Sequence, residues 1–154
     1  MDLGTHHHVG IIVTDLADAR RRLTAQLGVV WGPVLTLDAV DYRDADGNDV
    51  VLPTAMCYSV GEPCIELILE QPGSVWTRNP HSNLHHLAYW ADDFAAASGS
   101  FGAAQCPMQF CGRSGDAAPA QFAYHWDPVL GIRIELLDAR MREAMAFLSE
   151  PDAS

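Results

Sequence analysis

The chain has 154 residues, 49% of them hydrophobic, with 20 acidic residues against 9 basic ones and a formal charge of −11. That length suits one domain or two small units sharing a core, and a mean hydropathy of +0.01 fits neither a disordered chain nor a membrane protein. The acidic surplus argues against nucleic acid and against an anionic membrane as partners, and for a small molecule.

Residues 1–5 carry no basic n-region and no long apolar run, so no signal peptide is expected. No apolar stretch approaches the roughly 20 residues of a membrane helix. Cys57, Cys64, Cys106 and Cys111 are irregularly spaced, a poor zinc pattern. Free thiols in a reducing cytoplasm are the expectation.

Residues 9–13 are apolar and β-branched and predict a strand. Asp15 then caps a helix over 16–27, with Leu16, Ala19, Leu23 and Leu27 on one face and Gly28 as its stop. Residues 29–37 read as a strand interrupted at Gly32-Pro33. Asp46-Gly47 marks a turn between residues 40–42 and the apolar run 50–60, and the acidic stretch around it has the wrong spacing for a calcium loop. A strand over 63–69 closes the first half, and 72–83 is a linker rich in turn formers. The second half gives a strand over 84–91, a helix over 93–104, and strands near 108–111, 121–126 and 132–137. A last helix over 139–148 carries Met141, Met145 and Leu148 as its apolar stripe.

The chain repeats itself once. His7-His8-Val9-Gly10 and the run to Asp15 lie over His85-His86-Leu87-Ala88 and the run to Asp93, at an offset of 78 residues. Ile65-Glu66-Leu67-Ile68 matches Ile134-Glu135-Leu136-Leu137 at an offset of 69, in the same order. A period this long means a duplicated module, 1–78 and 79–154, within one structural domain.

Imidazole and carboxylate are common ligands for first-row metals, and one of each recurs in both halves. Glu66 and Glu135 each sit between apolar neighbours on a strand, where an unpaired carboxylate costs several kcal/mol unless something neutralises it. Taken singly, each glutamate could face solvent and each histidine could end a strand. Their recurrence at matching points favours a shared cation. Two carboxylates, two neutral imidazoles and a divalent ion sum to zero charge.

Four motifs together resemble the vicinal oxygen chelate superfamily, which includes glyoxalase I, methylmalonyl-CoA epimerase, extradiol dioxygenases and bleomycin-resistance proteins. They are His8-Val9-Gly10-Ile11-Ile12-Val13, Ile65-Glu66-Leu67, His86-Leu87-Ala88-Tyr89-Trp90 and Gly131-Ile132-Arg133-Ile134-Glu135-Leu136. The resemblance implies an α+β fold of two tandem βαβββ modules whose curved sheet surrounds a metal cleft. It implies metal ligands at His8, Glu66, His86 and Glu135, and one divalent ion among Ni, Co, Zn, Mn and Fe. With four ligands it points to an isomerase, epimerase or lyase that works beside a carbonyl through an enolate-type intermediate, with Glu66 or Glu135 as the base. An Fe(II) dioxygenase, which needs three ligands, and a non-catalytic binding or resistance protein are the alternatives. A homodimer is the expected assembly.

Trp90, Trp31, Phe122 and Tyr124 are the candidate substrate contacts, with core packing as the alternative for each. His6, His7 and His85 are expected to flank the site without ligating, and His125 to lie on the surface or serve as an auxiliary acid or base. The basic run Arg20-Arg21-Arg22 reads as a solvated helix face, or else a contact for an anionic substrate tail.

Overall fold

A computed structural model describes residues 3–152. The first strand, β1 (His6–Val13), leads to helix α1 (Leu16–Leu27). The helix starts where Asp15 is extended and its carboxylate accepts from the Asp18 amide, and it stops at Gly28, which adopts a left-handed φ of 72°. Leu16, Ala19 and Leu23 of α1 pack with Trp31, Cys57 and Leu67 on the outside of the sheet. Strands β2 (Leu35–Asp44) and β3 (Asp49–Tyr58) form a hairpin whose turn is closed by the Asp44 carboxylate, which accepts from the Asp46 and Asn48 amides. Strand β4 (Ile65–Leu69) follows.

The second half runs in the same order. Strand β5 (Leu84–Ala91) leads to α2 (Phe94–Ala103), capped by Asp93, and then to β6 (Met108–Ser114), β7 (Ala117–Asp127) and β8 (Ile132–Asp138).

Two elements depart from the sequence reading. The strand expected over 29–37 begins only at Leu35, and before it the chain touches the sheet through one bridge, Trp31 to Ser59. Gly32-Pro33 accounts for this, since proline has no N–H to give a ladder. The helix expected over 139–148 is three short turns: a 3-10 turn at Ala139–Met141, an α turn at Arg142–Met145 and a second 3-10 turn at Ala146–Ser149. The last turn is pressed onto Gly32, where a Cβ would stand 2.0 Å from the Leu148 carbonyl oxygen.

The expected curved sheet closes completely, in the order β1-β4-β3-β2-β6-β7-β8-β5 and back to β1. Antiparallel pairing joins the halves at both seams, β1 to β5 and β2 to β6, so neither half leaves an unpaired edge. The β1–β5 seam sets His8 opposite Ala88, Val9 opposite Leu87 and Gly10 opposite His86. The flanking parallel pairs set Gly10 beside Glu66 and Ala88 beside Glu135. Ile12, Tyr42, Ile68, Trp76, Phe110 and Tyr124 fill one part of the barrel interior. Among the described residues no helix is long and apolar enough to cross a membrane.

Candidate metal centre

Strands alternate their side chains between two faces, so the register above decides what meets inside the barrel. His8, Glu66, His86 and Glu135 come from four adjacent strands, β1, β4, β5 and β8. All four are buried, and one donor atom of each lies within 4.8 Å of the others. The two imidazole Nε2 atoms are 2.8 Å apart. His8 Nε2 stands 3.2 Å from Glu66 Oε2 and 3.1 Å from Glu135 Oε2, and His86 Nε2 stands 3.3 and 3.2 Å from the same atoms. Gly10 permits this arrangement, because a Cβ there would sit 2.0 Å from His86 Cε1.

The histidine doublets fix which nitrogen faces inward. His86 Nδ1 is 2.8 Å from His85 Nδ1, and His85 Nε2 is 2.9 Å from the Val75 carbonyl oxygen. A carbonyl only accepts, so His85 Nε2 carries its proton and donates. Burial, then the neighbouring His86 and Arg133, lower the His85 pKa to about 3, so its ring is neutral and its Nδ1 accepts. His86 therefore donates from Nδ1 and turns Nε2 towards the cluster, where it offers a lone pair once the ring gives up its second proton. His7 Nδ1 lies 2.6 Å from His8 Nδ1, and burial with the charge of His8 lowers His7 to about 4. An outer partner on the second ring nitrogen is the usual way a ligating histidine is oriented. With both rings neutral, two Nε2 lone pairs 2.8 Å apart could not hydrogen-bond to each other. They need a proton or a cation between them.

The carboxylates have the complementary need. Glu66 Oε2 and Glu135 Oε2 are buried, and among the described residues their close polar neighbours are the two imidazole Nε2 atoms alone. Glu66 Oε1 is held by the Tyr58 hydroxyl, which donates to it at 2.5 Å. Among the described residues Glu135 has no such hydroxyl partner. Burial disfavours charge on His8, but Glu66 and Glu135 outweigh it and hold the imidazole up at about 9. The same carboxylates raise His86 against its burial. Both glutamates are held below the usual carboxylate range, because the imidazoles outweigh burial. Around a cation with bonds of about 2.1 Å, adjacent donors stand about 3.0–3.4 Å apart, and the observed spacings come close to this. The donor set fits a divalent ion.

A family model for the glyoxalase/bleomycin resistance protein/dioxygenase superfamily matches residues 7–124, more than half of the chain. The chain belongs to that superfamily. No curated protein matches the sequence. Among solved structures it is similar to methylmalonyl-CoA epimerase from Mycobacterium tuberculosis, at 20% identity and a TM-score of 0.60, over 86% of each chain. It is similar to Streptomyces coelicolor methylmalonyl-CoA epimerase in complex with 2-nitronate-propionyl-CoA, at 16% identity and a TM-score of 0.61, over 90% of this chain and 96% of that one. A 4-hydroxymandelate synthase mutant from Streptomyces coelicolor matches 99% of this chain with 41% of its own, at 15% identity and a TM-score of 0.56. These likenesses establish the superfamily fold.

Beside the cluster the barrel holds a cavity of 170 Å³ that reaches Glu66 and Glu135. Phe122 and Tyr124 stand on its wall, and Met141, Met145 and Leu148 of the C-terminal turns border it. Trp90 and Trp31 do not border it. Trp90 packs edge-on against His7 with ring centroids 4.7 Å apart and takes the Arg142 guanidinium over its ring. Trp31 lies under α1 and donates from Nε1 to the Arg20 carbonyl and the Thr24 hydroxyl. His125, expected at the surface or near the site, is buried under α2, where the Ser98 hydroxyl and the Cys106 carbonyl hold it. Tyr58, which the sequence did not mark, borders both the cavity and Glu66.

Proposed function

We propose that the protein is a divalent-metal-dependent enzyme that moves a proton beside the carbonyl of a small molecule, as an isomerase, epimerase or lyase. The observation that carries this is the pair of buried carboxylate oxygens turned to the same point as two imidazole Nε2 atoms, with no other polar partner among the described residues. A non-catalytic binder would lose little by replacing such a buried ionic cluster with apolar groups, since taking ions out of water costs several kcal/mol each. Four donors, rather than two histidines and one carboxylate, also favour this reading over a dioxygenase.

His8, Glu66, His86 and Glu135 would hold the ion, which would supply Lewis acidity towards a substrate carbonyl. The halves 1–78 and 79–154 then act as modules that each give one imidazole and one carboxylate. The donor set is complete within one chain, so the homodimer expected from the resemblance is not needed to build it. Glu135 is the stronger base, because the Tyr58 hydroxyl bond lowers the proton affinity of Glu66 alone. It takes the proton from the carbon beside the carbonyl, which leaves the electron pair in an enolate. Delivery of a proton to the opposite face of the same carbon is epimerisation, delivery to the neighbouring carbon is isomerisation, and replacement of the abstracted proton by one from solvent before either is exchange.

Substituting Glu135→Gln and Glu66→Gln separately tests this by metal content and by exchange of solvent deuterium into a small ketone. Glu135→Gln should lower exchange by roughly 10²–10⁴-fold, the usual contribution of a general base. Full exchange with normal metal content in both variants would overturn the proposal.

A further inference from the structure

The cavity beside the cluster says what kind of molecule enters it. It measures 170 Å³. Sites for drug-sized ligands run to about 300–1,000 Å³, whereas a dry cavity of about 150 Å³ accepts benzene. Its wall is mostly aliphatic and aromatic, with Leu35, Val40, Met56, Phe122, Leu137 and Met145 among the lining side chains. Among the described residues no arginine, lysine or histidine lines it, and its charged members are the two glutamates. An anionic group inside would face those carboxylates with no compensating cation.

Most of the cations outside the cavity are already engaged. All nine basic residues are arginines. Seven are ion-paired with carboxylates, including all three of the Arg20-Arg21-Arg22 run. The other two, Arg133 and Arg142, lie over the Trp126 and Trp90 rings. Arg140, on the turns that border the cavity, is among the seven and grips Asp138.

One polar group on the wall awaits a partner. Thr54 is 2% exposed, and its Oγ1 lies beside the Tyr42 phenol without a well-formed hydrogen bond. A buried hydroxyl so weakly held is ready to turn to a ligand oxygen.

We infer that this site takes a small, uncharged, mainly apolar carbonyl compound of about the bulk of a six-membered ring, held within the barrel with one oxygen on Thr54, and that it does not take an acyl-CoA ester. This rests on the cluster being a metal centre only for the placing of the carbonyl. The size, charge and Thr54 contact stand on the cavity itself.

The test is calorimetric titration of three probes, 2-hydroxycyclohexanone, 2-oxoglutarate and propionyl-CoA, into the protein with and without equimolar Co²⁺. The hydroxyketone should bind at least tenfold more tightly than either anion in both states. Thr54→Val, which removes little but the hydroxyl, should weaken it several-fold, and Met145→Trp, at a half-buried position bordering the cavity, should abolish it. Both variants should keep the visible cobalt bands. Equal or tighter binding of propionyl-CoA or 2-oxoglutarate would overturn the inference, as would hydroxyketone binding that ignores both substitutions. Wild-type protein that takes up no cobalt would overturn the metal reading instead, and the ranking on cobalt-free protein would still decide the ligand class.

Discussion

Each donor histidine is preceded by a second histidine that holds its other ring nitrogen. Outer partners of this kind usually carry about 10–100-fold in metal affinity. His85→Ala should therefore weaken metal binding by that order in a chelator competition, with the fold unchanged by circular dichroism. Gly10→Ala should be harsher, because the new Cβ would overlap the His86 ring, and metal content should fall to background. The doublets were legible as a repeat, but nothing in the sequence said that the outer members support the inner ones, because that depends on ring orientation. Tyr58 was not legible at all. Its role comes from the cross-strand register that sets it opposite Glu66. The pH response follows from His8, raised from 6.5 to about 9 in the metal-free protein. A raised imidazole contributes stability that is fully present below about 6.5 and lost as pH climbs through about 9. Denaturant titration of metal-free protein should show its midpoint falling across that window, while metal affinity rises as the competing protons leave. A midpoint flat from pH 6.5 to 9 would contradict the assigned partners.

At the scale of elements, the segments with strong end signals were read best. Helix α1 matches its expected bounds because Asp15 and Gly28 define both ends, and strand β5 because linker residues precede it and an Asp-Asp pair follows. The C-terminal stretch was read as one helix because Met141, Met145 and Leu148 keep helical spacing. Its backbone instead tightens into 3-10 turns to seat against Gly32, a contact 116 residues distant in the chain that no local pattern encodes. Gly32→Ala should push this segment off the barrel. Faster amide exchange over 139–149 with α1 still protected would show it, and unchanged exchange would refute the close contact.

At the scale of the whole molecule, the sequence repeat announced the strand-helix-strand order but not the closed barrel, since closure depends on which edges pair. An ion held by side chains from both halves would stabilise the whole by mass action. At 100 times the dissociation constant the gain is about 2.7 kcal/mol, and at about 2–4 °C per kcal/mol for a chain of this size the midpoint should rise roughly 5–10 °C. Thermal scans with Co²⁺, in wild type and in His8→Ala, check this, and the variant should show no rise. The β1–β5 register has a last consequence. A local two-fold axis passes between Val9 and Leu87, and it carries His8 onto His86 and Glu66 onto Glu135. Related in that way, the two carboxylates begin as equals, and a substrate between them would meet the same base on either side. The Tyr58 phenol has its hydrogen bond to one of them only. In a proton transfer run between such a pair, the symmetry supplies two candidate bases and that single bond sets the direction.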